Sequence, residues 1–209
     1  MKKPEERLIV SRETLSDLKN YQSLLIEWQN KLNLVSASSL SDAWNRHFLD
    51  SAQLLQYIPE TAQNLIDFGS GAGFPAMVLA VITKKRTPFL NITMVESIRK
   101  KTLFLNEVAT KLDLQVRIVN ERIENLPKQK FDIITSRAMC SLDKLLDYAR
   151  PFCRKQTLCL FPKGRSWREE VVQAEHKYNF SYKAEDSLLS EEGKILIVTD
   201  IKPKGEKNA

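Results

Sequence analysis

Between Ser11 and Lys31 the apolar residues Leu15, Leu18, Tyr21, Leu24, Leu25 and Trp28 recur at steps of three and four, with Leu32 continuing the series. This spacing gathers side chains on one face of an α-helix, and Ser11 and Thr14 are its candidate caps. After a polar break from Asn33 to Ser39, a second helix is predicted from a cap near Ser41 through Trp44, Phe48, Ala52 and Leu55 to Tyr57, with Pro59 as its stop. Beyond residue 60 the pattern changes. Short apolar runs predict strands at Asn64–Phe68, Leu90–Val95, Val116–Val119, Phe131–Thr135 and Thr157–Phe161. Helical patterns separate them at Pro75–Ile82, Arg99–Lys111, Leu142–Cys153 and Trp167–Tyr178, with only a short turn to Pro127 after the third strand. Strands alternating with helices imply a doubly wound, mostly parallel sheet, because parallel neighbours need crossover connections. Phe180–Ala184 and Lys194–Ile201 follow each other without a helix and are expected to pair antiparallel at one edge. The expected organisation is a helical N-terminal extension over residues 1–60, an α/β domain over 61–201 and a disordered tail over 202–209.

The junction after the first strand reads Asp67-Phe-Gly69-Ser-Gly71-Ala-Gly73-Phe74-Pro75. Gly69 and Gly71 give the chain access to backbone angles that a Cβ disfavours, and all three glycines let the main chain approach a ligand. Pro75 suits the first turn of the helix that follows. Strand, glycine turn and helix together form a cofactor cradle, and two cofactor classes use one. Read from Gly69, a dinucleotide fingerprint fails because Phe74 occupies the position that needs a small residue. Read from Gly71, the fingerprint is formally complete with Ala76, so a nicotinamide or flavin enzyme stays open on spacing alone. Asp67 favours the other class. At the carboxyl end of the strand it would repel a pyrophosphate but attract the amine and sulfonium of S-adenosylmethionine.

Composition narrows the class without naming a chemistry. The 209 residues are 43% hydrophobic and 28% charged, enough for one full core. The N-terminus lacks an apolar export segment, and the longest charge-free run, Phe68 to Thr83, contains three glycines and a proline, so a cytoplasmic protein is expected. Cys140, Cys153 and Cys159 have no C-x-x-C spacing, and His47 and His176 lie far apart, so neither disulfides nor a bound metal are expected. A net charge of +6 leans toward polyanionic partners.

In an open α/β sheet a ligand lies outside the carboxyl ends of the strands. Glu96, after the second strand, is placed to bond ribose hydroxyls, and a surface glutamate opening a helix is the plainer alternative. After the third strand, Ile123 offers an apolar face for adenine and Glu124 an acceptor for its amine, against the alternative of a solvated turn. Arg137 follows the fourth strand, where a guanidinium can fork onto a carboxylate or phosphate or be tied in a structural ion pair. Lys163 and Arg165 follow the fifth, and with Arg99, Lys100, Lys101 and Arg122 they predict a basic active face. Arg46, His47 and Asp50 fall on one helix, the last two on neighbouring turns of one face. A capped, partly buried histidine is the reading of His47 from its surroundings alone.

Several segments together go further than any one of them. Asn33-Leu-Val, Arg46-His47-Phe-Leu-Asp50-Ser51, Asp67 to Pro75, Val95-Glu96-Ser, Arg122-Ile-Glu124, Phe131 to Ala138 and Lys163-Gly164 stand in an order that closely resembles the bacterial RsmG family. These are the 16S rRNA guanine-N7 methyltransferases, also called glucose-inhibited division protein B. The resemblance spans about residues 30 to 165. It implies a Rossmann-like methyltransferase fold, S-adenosylmethionine as cofactor, and small-subunit rRNA or a ribosomal particle as partner; separately, a monomer is expected. It places the cofactor against Gly69, Phe74, Ile123, Glu124 and Arg137, to which Gly71, Gly73 and Glu96 are added from the reading above. Arg46, His47, Lys163 and Arg165 are the candidates for RNA contact, and no catalytic side chain is singled out. The chain departs from the family pattern at Ala76, Met77 and Val78, where Gly-Ile-Pro-Leu is usual after the proline, and at Met139-Cys140, where Phe-Ala is usual.

Overall fold

The computed structural model describes residues 8–87 and 89–205. Seven strands form one sheet in the order β3-β2-β1-β4-β5-β7-β6. These are β1 (Asn64–Phe68), β2 (Asn91–Val95), β3 (Val116–Val119), β4 (Phe131–Thr135), β5 (Cys153–Lys163), β6 (Tyr178–Ser187) and β7 (Ser190–Pro203). The first five are parallel, and β7 runs antiparallel to both β5 and β6. Strand order reverses between β1 and β4. That is the switch point at which doubly wound sheets open a crevice.

Alternation along the strands builds two apolar layers. Leu65, Ile92, Ile133 and Leu160 pack on one side, whereas Ile66, Phe68, Ile134 and Phe161 pack on the other. Asp67 therefore shares the face of Leu65. Above that face lie α4 (Ala76–Arg86) and α5 (Arg99–Lys111); below the other lie α6 (Leu142–Ala149) and α7 (Trp167–Glu175). Residues 76–82 of α4 are buried all round, and a helix with no polar face has to be covered on its outer side. The cover is α1 (Arg12–Gln29), whose Ser11 cap accepts a hydrogen bond from the Thr14 amide and whose Leu18, Tyr21 and Leu25 enter the same core as Leu79 and Phe104.

Three expectations need correction. The polar break contains a short helix, α2 (Ala37–Leu40), capped by Ser36. The second helix is not one α-helix: a π-helical segment at Trp44–Leu49 passes through α3 (Asp50–Ala52) into a 3-10 turn at Gln53–Tyr57. The last three strands are longer than predicted. Cys153 and Tyr178, expected to end helices, begin β5 and β6, and β7 extends to Pro203, two residues into the expected tail; residues 206–209 lie outside the described residues.

Candidate active site

The turn after β1 is held from three sides. Within it the Gly73 amide donates to Ser70 O at 2.7 Å, and the Ser70 amide donates to Val95 O at 3.0 Å. Gly69, Gly71 and Gly73 have φ of +64°, +58° and +93°. At Gly69 an added Cβ would lie 2.7 Å from the Met139 sulfur, so the unusual methionine after Arg137 packs against the bare face of this glycine. Gly73 is different from what its spacing implied. A Cβ there would meet the Tyr21 hydroxyl at 2.5 Å and Met77 Cβ at 2.8 Å, so its missing side chain makes room for α1 rather than for a ligand. The Tyr21 hydroxyl donates to the Ala72 carbonyl, and its ring stacks on Phe74 with centroids 5.4 Å apart.

Beneath the turn, Asp67 is fully buried. Its Oδ1 accepts from Thr135 Oγ1 at 2.7 Å, while its Oδ2 has no hydrogen-bond partner among the described residues. Burial is the largest influence on this carboxyl and pushes its pKa from 3.8 up to about 6, against the lowering effects of Ser70, Thr135 and Arg137. An oxygen buried without a partner is an expensive arrangement, and it marks a place where a donor is expected. Glu96 is also buried, and its two oxygens accept from the amides of Gly71 at 2.9 Å and Ile98 at 2.8 Å. It ties the end of β2 to the turn, and each oxygen retains a lone pair. Ile123 is buried beside Leu126, whereas Glu124 is exposed and accepts from Tyr148 at 3.3 Å.

On the other side of the turn stands Arg137, at the end of β4. Its Nη1 donates to Arg46 O at 2.8 Å and to Asp50 Oδ2 at 3.1 Å, its Nη2 donates to His47 Nδ1 at 2.9 Å, and the guanidinium lies 5.1 Å from the Phe74 ring centroid. Three of its five N–H groups are thereby engaged, two remaining for a ligand among the described residues. His47 is 8% exposed and stacks on Phe74. Burial first, then Arg137 and Arg46, lower its pKa to about 3. A guanidinium only donates, so Nδ1 must be the acceptor, and the Nε2–H is left to donate to Ser39 Oγ at 3.0 Å. Arg46, His47 and Asp50 all come from the π-helical segment or its C-cap, an irregularity that concentrates at functional sites. The i, i+3 spacing of His47 and Asp50 put them on one face; that this face meets Arg137, some ninety residues on, was not readable from sequence.

Two cavities open on either side of Arg137. One, of about 430 Å³, is lined by Ser39, His47, Gly69, Phe74, Lys101 and Arg137. The other, of about 400 Å³, is lined by Asp50, Arg137, Cys140, Lys163, Glu170 and Gly193. The predicted basic edge divides here. Arg46 and Arg165 are exposed, but Lys163 is nearly buried and donates to Glu170 Oε2 at 2.7 Å and to Cys140 O at 2.9 Å. Its charge is matched inside the fold. Among the described residues no group of three or more His, Cys, Asp or Glu could hold a metal ion, and no helix is long and apolar enough to cross a membrane.

Comparison with known proteins agrees with this architecture and extends it. The chain is similar to a methyltransferase described as SAM-dependent from Aquifex aeolicus, with a TM-score of 0.59 at 12% identity over 80% of this chain and 96% of that one, a likeness of fold. Closer relatives are proteins called ribosomal RNA small subunit methyltransferase G. The one from Hyphomonas neptunium is 41% identical over 92% of this chain and 90% of its own, and the one from Paramagnetospirillum magneticum is 39% identical over 95% and 96%. The model of the family GidB, described as rRNA small subunit methyltransferase G, matches residues 14–197. With relatives this similar along nearly the whole chain and a family model covering most of it, the chain belongs to the rRNA small subunit methyltransferase G family.

Proposed function

We propose that this protein is an S-adenosylmethionine-dependent methyltransferase that modifies N7 of a guanine in small-subunit ribosomal RNA. The single observation that carries the cofactor half of this reading is Asp67 Oδ2, buried and unpartnered at the end of β1 directly under the glycine turn. A buried carboxylate there fits a cofactor that presents an ammonium, and it opposes one that presents a pyrophosphate. The cofactor's chemical contribution is a methyl group on a positively charged sulfur. In this reading Gly69, Gly71 and Phe74 shape its cradle, Glu96 offers its remaining lone pairs to the ribose, and Ile123 and Glu124 flank the adenine. The two uncommitted N–H groups of Arg137 are available to its carboxylate.

Guanine N7 carries a free lone pair at neutral pH, so no side chain has to remove a proton before methyl transfer. What the chain supplies is alignment and exclusion of water. Arg137 is suited to this because it is fixed by His47, Asp50 and the Arg46 carbonyl, and because it separates the two cavities. The second cavity is then the place for the target base. Exposed Arg46 and Arg165 hold backbone phosphate, whereas buried His47 and nearly buried Lys163, both bonded inside the fold, position their neighbours. In this reading the enzyme acts as a monomer and meets its rRNA substrate in the cytoplasm. Transfer of labelled methyl from S-adenosylmethionine to small-subunit rRNA, with the product mapped by mass spectrometry, tests the proposal. It predicts 7-methylguanosine at one site. No transfer to either naked rRNA or the small subunit would overturn it.

A further inference from the structure

At the opposite end of the sheet from the cradle, β4 and β5 fall out of step. Phe131 pairs with Cys153, but Ile133 pairs with Leu158, so the exposed residues Arg154, Lys155 and Gln156 loop out of the ladder. Thr157 closes the loop: its Oγ1 accepts from the Arg154 amide at 2.8 Å and donates to Phe131 O. The bulge has a chemical consequence. Six steps along a straight strand would separate two residues by about 20 Å, yet the Cys153 and Cys159 sulfurs are 3.8 Å apart. Cys159 is fully buried, whereas Cys153 is partly exposed and lines a cavity of about 360 Å³ with Arg150, Arg154, Lys155 and Lys202.

We propose that Cys153 and Cys159 form a peroxide-sensitive dithiol, with Cys153 as the attacking sulfur and Cys159 as the resolving one. In the first step the Cys153 thiolate takes an oxygen from hydrogen peroxide; the O–O bond breaks, the Cys153 sulfur becomes a sulfenic acid, and the departing hydroxide takes up the proton that the Cys153 thiol had released and leaves as water. The Cys159 sulfur then attacks it; the S–S bond forms, the S–O bond breaks, and a second water leaves with the Cys159 proton. Two thiols are oxidised by two electrons in total, and one peroxide is reduced to two waters. The asymmetry of the pair suits this order. The hydrogen bond from Cys159 and the nearby Lys130 lower the Cys153 pKa, while the same contact and burial raise that of Cys159, and a thiolate in a basic, accessible setting is the reactive form.

Trypsin cuts after Arg154 and Lys155, so the two cysteines leave on separate peptides unless they are bonded. Reduced protein treated with equimolar hydrogen peroxide, then alkylated and digested, is expected to give a Cys153–Cys159 linked peptide pair with Cys140 alkylated. Cys153 should react about tenfold faster than Cys140, the size of effect expected from a lowered thiol pKa. In Cys159→Ser, Cys153 should stop at a dimedone-reactive sulfenic acid, and in Cys153→Ser, Cys159 should stay reduced. The proposal is overturned if Cys140 oxidises as fast as Cys153, if the disulfide joins two chains, if Cys159 oxidises without Cys153, or if urea-unfolded protein forms the pair as selectively as native protein.

Discussion

A carboxylate with one oxygen bonded to Thr135 and the other facing no donor destabilises the fold that contains it, and Asp67 is such a carboxylate. Its raised pKa means that folded protein binds more protons than unfolded protein between pH 3.8 and about 6. The stabilising contribution of the neutral acid is therefore complete below pH 3.8 and lost as pH rises through 6. At pH 7 the buried charge costs on the order of 3 kcal/mol. Urea denaturation of Asp67→Asn is expected to gain on wild type steadily from pH 4 to 7, and a constant difference across that range would refute the assignment. His47 acts with the opposite sign. Its pKa is lowered to about 3 from 6.5, so its contribution is present above pH 6.5 and is lost as pH falls toward 3. The two windows overlap, and the acid limb of the wild-type curve alone cannot separate them. In His47→Asn, which keeps an acceptor for Arg137, the deficit relative to wild type should shrink below pH 6.5.

Tyr21 joins α1 to the glycine turn, and the π-helical segment joins the N-terminal region to β4. Tyr21→Phe keeps the ring between Phe48 and Phe74 and removes only the bond to the Ala72 carbonyl. Loss of this bond leaves the buried Ala72 carbonyl without its donor, so stability should fall by about 1 kcal/mol or more and, because the bond steadies the turn that cradles the cofactor, affinity should weaken by about three- to tenfold. A fall in melting temperature with unchanged affinity would make Tyr21 a packing residue only. Gly73→Ala, by contrast, meets Tyr21 and Met77 at a φ of +93° and should destabilise the whole fold by about 2 kcal/mol or more, read from the urea midpoint. These contacts also mark where sequence reasoning stops. The bounds of β1 to β4 were legible within a residue because buried parallel strands carry unbroken apolar runs between turn residues. β6 and β7 were longer than their apolar stretches, since an antiparallel ladder continues through exposed polar residues such as Lys183 and Asp186, and β5 starts four residues early because Cys153 pairs with Phe131 ahead of the bulge. The second helix looked regular because the wider π turn and the tighter 3-10 turn average to nearly the α-helical spacing over so few residues. The places of Glu96 and Arg137 just after β2 and β4 were legible in the sequence. Their actual partners, the Gly71 and Ile98 amides in one case and the π-helical segment in the other, depend on tertiary approach.

At the scale of the molecule, a sheet that reverses order between β1 and β4 puts the glycine turn and Arg137 side by side, with Arg46 and Lys101 lining the cavity beside them. The net charge of +6 is less informative than its distribution. Because Lys163 is neutralised by Glu170 and Arg165 is exposed, Arg165→Glu should weaken rRNA binding and reduce the slope of log K against log salt by roughly 1, whereas Lys163→Met should lower activity without changing that slope. Filter binding between low and physiological salt distinguishes the two; equal slopes for wild type and Arg165→Glu would remove Arg165 from the RNA surface. Everything proposed for the reaction rests on one grip, that of the segment from Asp67 to Pro75 on the methyl donor. Calorimetric titration of S-adenosylhomocysteine into wild type and Asp67→Ala tests it most directly. One site per chain in wild type, with affinity at least about tenfold weaker in the variant, is the predicted result. Equal affinity in the two proteins, or tight binding of NAD with no response to S-adenosylhomocysteine, would contradict it.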